Sequence, residues 1–340
     1  MDDLNAILVT LQSQQDLTRE QMQSAMGLLL TGRVAADPMR EMLELMARKG
    51  ESVAELAGAA HALRDAMFRV DPPSRPVVDT CGTGGDGSQT FNISTAAALS
   101  VASCGVLVAK HGNRKITSST GSADVLAELG INLEASPDVA QKCLTELGIC
   151  FCFAPYFHPA MKYVSEVRRA IGRPTIFNRL GPLANPALAD RQVLGVGAAE
   201  LQLPMAQALQ QLGTVRSIVV RGEDGVDELS LSGGTRVLEV TPQELVEHNW
   251  HPSDFGLATA DRRALFADDP ASSAACIRRV LSGEHGPMRD VVVMNAAAAL
   301  WIADVSSDLR DCALRVGEAI DSGATRSLVE RLGAMTHADD

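Results

Sequence analysis

The chain has 340 residues, 46% of them hydrophobic and 21% charged, which gives it enough apolar material for one large or two unequal domains and excludes general disorder. A formal net charge of -12 with no long Lys/Arg run argues against non-specific nucleic-acid binding, because an acidic surface repels a phosphate backbone. No apolar stretch reaches the roughly 18 residues of a membrane-spanning helix, and the start Met-Asp-Asp-Leu-Asn lacks a secretory pattern, so a cytoplasmic protein with no membrane partner is expected.

Residues 3 to 70 read as a run of helices. Thr18-Arg-Glu-Gln21 and Ser52-Val-Ala-Glu55 fit the capping box, in which side chains and backbone amides satisfy each other reciprocally. Asp37-Pro38 reads as a third start, an N-cap followed by proline at the first helical position. Met39, Met42, Leu43 and Met46 then recur at helical spacing, one apolar face for a core or a subunit contact. Asp71-Pro-Pro-Ser-Arg-Pro76 ends the helical pattern.

From Val77 short β-branched runs alternate with helical stretches. The strands expected are Val77-Val78, 106–108, 149–153 and 217–220; the helices between them cover 96–103, 123–129 and 137–147. Such alternation signals an α/β fold with a mainly parallel sheet. Residues 290–335 return to helix, with 295–300 packing through small side chains. The expected organisation is a small all-helical domain over 1–72 and a large α/β domain over 73–340. The seven cysteines are odd in number and contain no CxxC pair, so reduced thiols are expected; Cys150 and Cys152 should share one face of a buried strand.

Three segments carry chemistry. Asp79-Thr-Cys-Gly-Thr-Gly-Gly-Asp-Gly87 follows a strand, and its glycines let backbone amides close on an anion; Asn92-Ile-Ser-Thr95 then opens a helix whose free amides favour phosphate. The spacing fits neither a P-loop nor a dinucleotide fingerprint. Lys110-His-Gly-Asn-Arg-Lys115, continuing to Asp124, follows the next strand with three cations and several hydroxyls, a set suited to clamping a diphosphate. Gly222-Glu-Asp-Gly-Val-Asp-Glu228 brings two adjacent carboxylates, Asp227 and Glu228, which from a loop can both reach a Mg²⁺ shell. Turn, solvated loop and acidic turn are the corresponding structural alternatives.

In order and spacing, Gly82-Thr-Gly-Gly-Asp86, Asn92-Ile-Ser-Thr95, Lys110-His-Gly-Asn-Arg114, Gly121-Ser-Ala-Asp124, His158-Pro-Ala-Met161, Phe177-Asn178, Gly181-Pro-Leu183 and Asp227-Glu228 resemble the anthranilate phosphoribosyltransferase family over nearly the whole chain. The resemblance implies the fold shared with nucleoside phosphorylases, the helical domain being completed by a helical segment near 165–185. It implies Mg-dependent transfer of phosphoribose from phosphoribosyl pyrophosphate to the amine of anthranilate, in tryptophan biosynthesis, by a homodimer. Gly82, Gly85, Asp86, Thr90, Asn92, Ile93, Ser94, Thr95, Lys110, His111, Gly112, Asn113, Arg114, Lys115, Ile116, Thr117, Ser118 and Ser122 would hold phosphoribosyl pyrophosphate. Ser94, Asp227 and Glu228 would bind two Mg²⁺ ions.

For anthranilate the resemblance implies Gly82, Asn113 and Arg168, with His111, His158 and Pro182 along its access path and no residue assigned as general base. The chain departs from the usual family pattern at Glu166, where Pro commonly precedes the Val-Arg pair, and at Pro174-Thr175. Two other readings are a pyrimidine-nucleoside phosphorylase, which would not need the Asp-Glu pair, and a nucleic-acid-binding relative without catalysis, which should be basic.

Overall fold

Both capping boxes form as the sequence expects. Thr18 accepts from Gln21 N at the head of the helix Arg19–Leu29, and Ser52 from Glu55 N at the head of Val53–Asp65, with the Gln21 and Glu55 side chains returning to the cap amides. In this computed structural model, which describes residues 2–114 and 120–338, the third start lies earlier than Asp37-Pro38. The helix runs Ala36–Lys49 with Ala35 at the cap, so Asp37 and Pro38 occupy its first turn, where a missing amide hydrogen costs no helical bond. Met39, Met42, Leu43 and Met46 are all buried inside one chain, packed with Leu11, Met22, Val164, Val167 and Phe177. The helices Lys162–Ile171 and Phe177–Leu180 therefore share a core with the N-terminal ones.

Among the described residues, seven strands form one sheet: β1 (Val77–Gly82), β2 (Leu107–Gly112), β3 (Ile149–Phe153), β4 (Arg191–Gly195), β5 (Arg216–Gly222), β6 (Thr235–Val240) and β7 (Leu245–Trp250). Their order is β3-β2-β1-β4-β5-β6-β7. The first five run parallel, with Val77 beside Leu107 and Val78 beside Arg191; β6 and β7 are antiparallel additions. Alternating side chains split the sheet's two faces between two cores. Ile218 and Val220 join the core that holds the helices Ile93–Ser103 and Pro287–Ile302, whereas Val219 and Leu238 join the core of the N-terminal helices.

This topology places the site. Chain connections leave β1 toward β2 on one side and β4 toward β5 on the other, so a crevice opens outside the carboxyl ends of β1 and β4. The loops after β1, β2 and β5 all emerge at that edge. The cysteines among the described residues are free thiols; Cys150 and Cys152 lie on one buried face of β3, with their sulfurs 3.9 Å apart.

Candidate active site

The loop after β1 closes one cavity, of roughly 640 Å³, against the start of the helix Ile93–Ser103 and the loop after β5. Glycine is required where the strands meet that third loop. A Cβ on Gly82 would run into the Asp227 carboxylate, and one on Gly195 into the Asp227 backbone. The contact is made instead by hydrogen bonds. Gly84 N donates to Asp227 Oδ2 at 2.8 Å, Asp227 N to Asp86 Oδ2 at 3.3 Å, and Ser94 N to Glu228 Oε1 at 3.1 Å. Asn92, at the helix cap, accepts from Thr120 Oγ1 at 2.6 Å and Ser273 Oγ at 2.8 Å, and its own amide donates to Ser273 at 2.9 Å.

Asp227 and Glu228 lie in the loop after β5, and both reach this cavity. Burial pushes Asp227 up to about 7, helped by the charge of Asp86, and Glu228 up to about 8, helped by Asp227. Two half-buried, adjacent carboxylates that resist ionisation are a site wanting a cation. Among the described residues no cluster of three His, Cys, Asp or Glu side chains forms a metal cage. A pair of adjacent carboxylates suits an ion such as Mg²⁺, which keeps waters and takes one or two carboxylates together with ligand phosphates.

The second segment is placed differently from the sequence expectation. Lys110, His111 and Gly112 are the last residues of β2 rather than the start of a loop. Lys110 is only 3% exposed, and its Nζ donates to Thr80 O at 2.5 Å and Ser94 Oγ at 3.4 Å, beneath the glycine loop. Burial pulls its pKa down, against the charge of Asp79. Arg114 pairs with Asp124 at 3.2 Å and lies over the Phe153 ring. Lys115, Ile116, Thr117 and Ser118 lie outside the described residues.

A second cavity, of roughly 610 Å³, joins the first along Gly82, Thr83, His111, Gly112 and Asn113. It is walled by parts of the chain far apart in sequence, including Leu63, His158, Met161, Arg168, Phe177 and Pro182. The Arg168 guanidinium stacks 5.1 Å from the Phe177 ring centre and, among the described residues, has no carboxylate in ion-pair contact; burial lowers its pKa. A half-buried unpaired guanidinium in an apolar cavity is matched to a planar carboxylate.

The two histidines form a pair, with Nε2 atoms 3.1 Å apart. Because the Gly181 carbonyl can only accept, His111 Nδ1 carries a hydrogen and donates to it at 3.0 Å. His111 Nε2 is then the acceptor and His158 Nε2 the donor. Burial holds both below the ordinary histidine value, His158 down to about 3 with His111 as the next cause. Both are neutral at pH 7, and their Nε2 atoms are spent on each other.

Of the residues expected around phosphate, Gly82, Asp86, Thr90, Asn92, Ile93, Ser94, Lys110, His111, Gly112, Asn113, Arg114 and Ser122 line the first cavity. Gly85 and Thr95 do not. Thr95 is fully buried, rotated by the first helical turn toward the core, with its hydroxyl unpartnered. All six residues expected around the aromatic, Gly82, His111, Asn113, His158, Arg168 and Pro182, line the second. Sequence reasoning missed Asp79, whose carboxylate accepts from His111 N at 3.3 Å and Gln192 Nε2 at 3.2 Å, and also Gln192, Ser273 and Asp268. Asp79 stood inside a quoted motif; the others lie outside every motif and have no local signal.

Residues 74–326 match the glycosyl transferase family, a/b domain, and residues 5–67 the glycosyl transferase family, helical bundle domain. An anthranilate phosphoribosyltransferase of Rhodopirellula baltica is 47% identical over 317 residues, 93% of each chain. The crystal structure of the Thermus thermophilus anthranilate phosphoribosyltransferase superposes with a TM-score of 0.91 at 41% identity, covering 99% of both chains. The Saccharomyces cerevisiae enzyme in complex with PRPP and Mg is 27% identical with a TM-score of 0.89, and in complex with 4-fluoroanthranilate 26% identical with a TM-score of 0.87, each covering 98% of both chains. The chain belongs to the anthranilate phosphoribosyltransferase family.

The departures from the usual pattern of that family leave the Arg168 helix intact. Glu166 is an exposed residue in the unbroken helix Lys162–Ile171, and the helix has already ended at Gly172 before Pro174. Thr175 is buried, with its amide held by Asn178 Oδ1 at 3.0 Å.

Proposed function

We propose that this chain transfers phosphoribose from 5-phosphoribosyl 1-pyrophosphate to the amine of anthranilate, releasing pyrophosphate. The observation that carries this is the meeting of two unlike cavities along Gly82, His111 and Asn113. One offers loop amides and a cation-seeking carboxylate pair; the other is lined largely by apolar groups around the unpaired Arg168. The yeast relative's complexes with PRPP and Mg and with 4-fluoroanthranilate support one ligand for each cavity.

In this reading the anthranilate nitrogen bonds to the anomeric carbon as the carbon–oxygen bond to pyrophosphate breaks, and the nitrogen gives up one proton to solvent. Positive charge gathers on the ribose ring and negative charge on the departing diphosphate. The glycine-loop amides, the Ser94 hydroxyl and Arg114 face that negative charge, with Lys110 beneath them supporting Ser94. Asp227, Glu228 and Ser94 would hold Mg²⁺, two ions per chain, which neutralises the leaving group. Arg168 grips the anthranilate carboxylate and Asn113 stands at the junction, so the neutral aniline is oriented for attack without a general base. The His111–His158 pair, neutral and internally bonded, shapes the access path beside Pro182.

We propose further that residues 1–72, with the segment near 165–185, act as one helical domain beside the α/β domain of 73–340, and that the protein is a cytoplasmic homodimer. The methionine face is buried within the chain, so a dimer has to use other surfaces; light scattering giving a monomer near 36 kDa would contradict it.

The activity is tested by mixing the protein with anthranilate, phosphoribosyl pyrophosphate and Mg²⁺. Anthranilate fluorescence should fall, one pyrophosphate should appear per anthranilate lost, and a chelator should stop both. Steady fluorescence with a folded preparation would overturn the reading.

A further inference from the structure

Three successive carbonyls in the turn Gly181–Leu183 are each held by a side chain from a different part of the chain. Gly181 O accepts from His111 Nδ1 at 3.0 Å, Pro182 O from Gln192 Nε2 at 2.8 Å, and Leu183 O from Arg64 Nε at 2.8 Å. Just beyond, Asn185 Nδ2 donates to Ala109 O at 2.7 Å. His111 and Gln192 stand on strands β2 and β4 of the sheet. Arg64 comes from the helix Val53–Asp65, so it is the member of this set that ties the turn to the N-terminal helices. Its Nη1 also reaches Leu212 O, at 3.5 Å, just past the end of the helix Gln202–Gln211.

Arg64 holds this position at a cost. Burial pushes its guanidinium down to about 10, and the charges that act on it, those of Arg69 and Arg19, are both positive. A half-buried cation among like charges is held at a cost, which its hydrogen bonds to carbonyls offset. A guanidinium has a fixed fork of donors and can serve two carbonyls at once; an ammonium is a point charge on a flexible stem. The side chain does not reach the second cavity. Its neighbour Leu63 does, and so do Gly181 and Pro182 in the turn it holds.

We propose that Arg64 is a positioning residue for anthranilate: it fixes the turn Gly181–Leu183 against the N-terminal helices, and through that turn sets Pro182 in the wall of the second cavity. The inference rests on the proposed function, because it names the ligand of the second cavity. It also specifies that the N-terminal helices, through Arg64, adjust the grip on one substrate and leave the other alone. The first cavity is built by loops whose hydrogen bonds do not involve Arg64.

The test is steady-state kinetics on Arg64→Met and Arg64→Lys, varying each substrate in turn, with thermal melting in parallel. Arg64→Met keeps the apolar stem and leaves Leu183 O without its donor. It should raise the anthranilate KM about tenfold, as expected for one lost charge-assisted bond, and leave the phosphoribosyl pyrophosphate KM within about twofold. Arg64→Lys, with its charge kept and one carbonyl served, should raise the anthranilate KM about threefold. Should Arg64→Met fail to fold, Arg64→Lys decides alone. A lowered melting temperature with an unmoved anthranilate KM, or both KM values rising together, would make Arg64 purely structural and overturn the proposal. A wild-type protein that does not consume anthranilate would instead sink the proposed function itself, so the two failures are told apart in one experiment.

Discussion

The cavity beside Asp227 and Glu228 is built by loops at the carboxyl ends of three parallel strands of one sheet, whereas the cavity around Arg168 is walled by Leu63, His158, Phe177 and Pro182 from distant parts of the chain. In the first, short local motifs supply the backbone geometry, and a few cross-links such as Gly84 to Asp227 lock it. In the second, no segment contributes enough contact to define a ligand alone; the shape arises when the N-terminal helices pack against the sheet. In the proposed reading, diphosphate recognition is encoded locally and anthranilate recognition by tertiary assembly. Damage to the first should be severe and insensitive to the helices, while damage to the second should be graded and selective for one substrate.

The largest effect should come from the carboxylate pair. Asp227→Asn with Glu228→Gln keeps the shape and removes both negative charges. Turnover at a fixed, limiting Mg²⁺ concentration should fall about 10²-fold or more, with partial recovery as Mg²⁺ is raised; wild-type turnover at limiting Mg²⁺ would reduce the pair to an acidic turn. Next comes Arg168→Ala, which should weaken anthranilate binding by about 1.5–3 kcal/mol, roughly 10- to 150-fold in KM. Arg168→Lys should recover only part of this, because an ammonium cannot form two parallel bonds to a carboxylate. An unchanged anthranilate KM beside a large phosphoribosyl pyrophosphate defect would move Arg168 to the other cavity.

A third effect is of pH. Asp227 and Glu228 sit at about 7 and about 8 in the folded chain against 3.8 and 4.5 for the free groups, so the folded state holds their protons longer than the unfolded state does. Well below the free values of 3.8 and 4.5 they are protonated in both states and contribute nothing. Between about pH 4 and pH 8 the unfolded chain ionises first, so they cost the ligand-free protein stability as pH rises. A bound cation removes that cost and releases protons. The Mg²⁺ needed for half-maximal rate should therefore fall from pH 6 to pH 8, by about tenfold if only the group near 7 must ionise and by more if both must. A requirement that is flat across that range would show that the carboxylates are already ionised.

The smallest effect sharpens how the first cavity is locked. Ser273→Ala deletes the hydroxyl that holds both the amide and the side chain of Asn92, leaving a cap amide without its acceptor. It should cost about 1–2 kcal/mol of stability and raise the phosphoribosyl pyrophosphate KM a few-fold, with the anthranilate KM unmoved. An effect on anthranilate instead would show that the two cavities are not independently supported.

The same contrast explains what the sequence made legible. The glycine loop, the cap at Asn92 and the Asp227-Glu228 pair are contiguous, and their chemistry follows from residue type and spacing. Lys110 was misplaced because a cation beside His and Gly reads as loop, yet the pairing of β2 with β3 carries the strand through Gly112. Strands β4, β6 and β7 escaped notice because Arg191–Gly195 is short and Leu245–Trp250 mixes polar and apolar residues without alternation. Arg64 and Gln192 could not be found from spacing, since the carbonyls they serve lie 119 and 10 residues away in a turn that only tertiary packing orients.

The most direct test of this division of labour is a pair of equilibrium titrations on two variants. Anthranilate binding, followed by its fluorescence, and Mg·phosphoribosyl pyrophosphate binding, followed by calorimetry, are measured on Arg168→Ala and on Asp227→Asn/Glu228→Gln. The account predicts a crossed pattern: Arg168→Ala loses anthranilate affinity at least tenfold and keeps the diphosphate, while the carboxylate variant loses the diphosphate and keeps anthranilate. Equal loss of both ligands in either variant would contradict it.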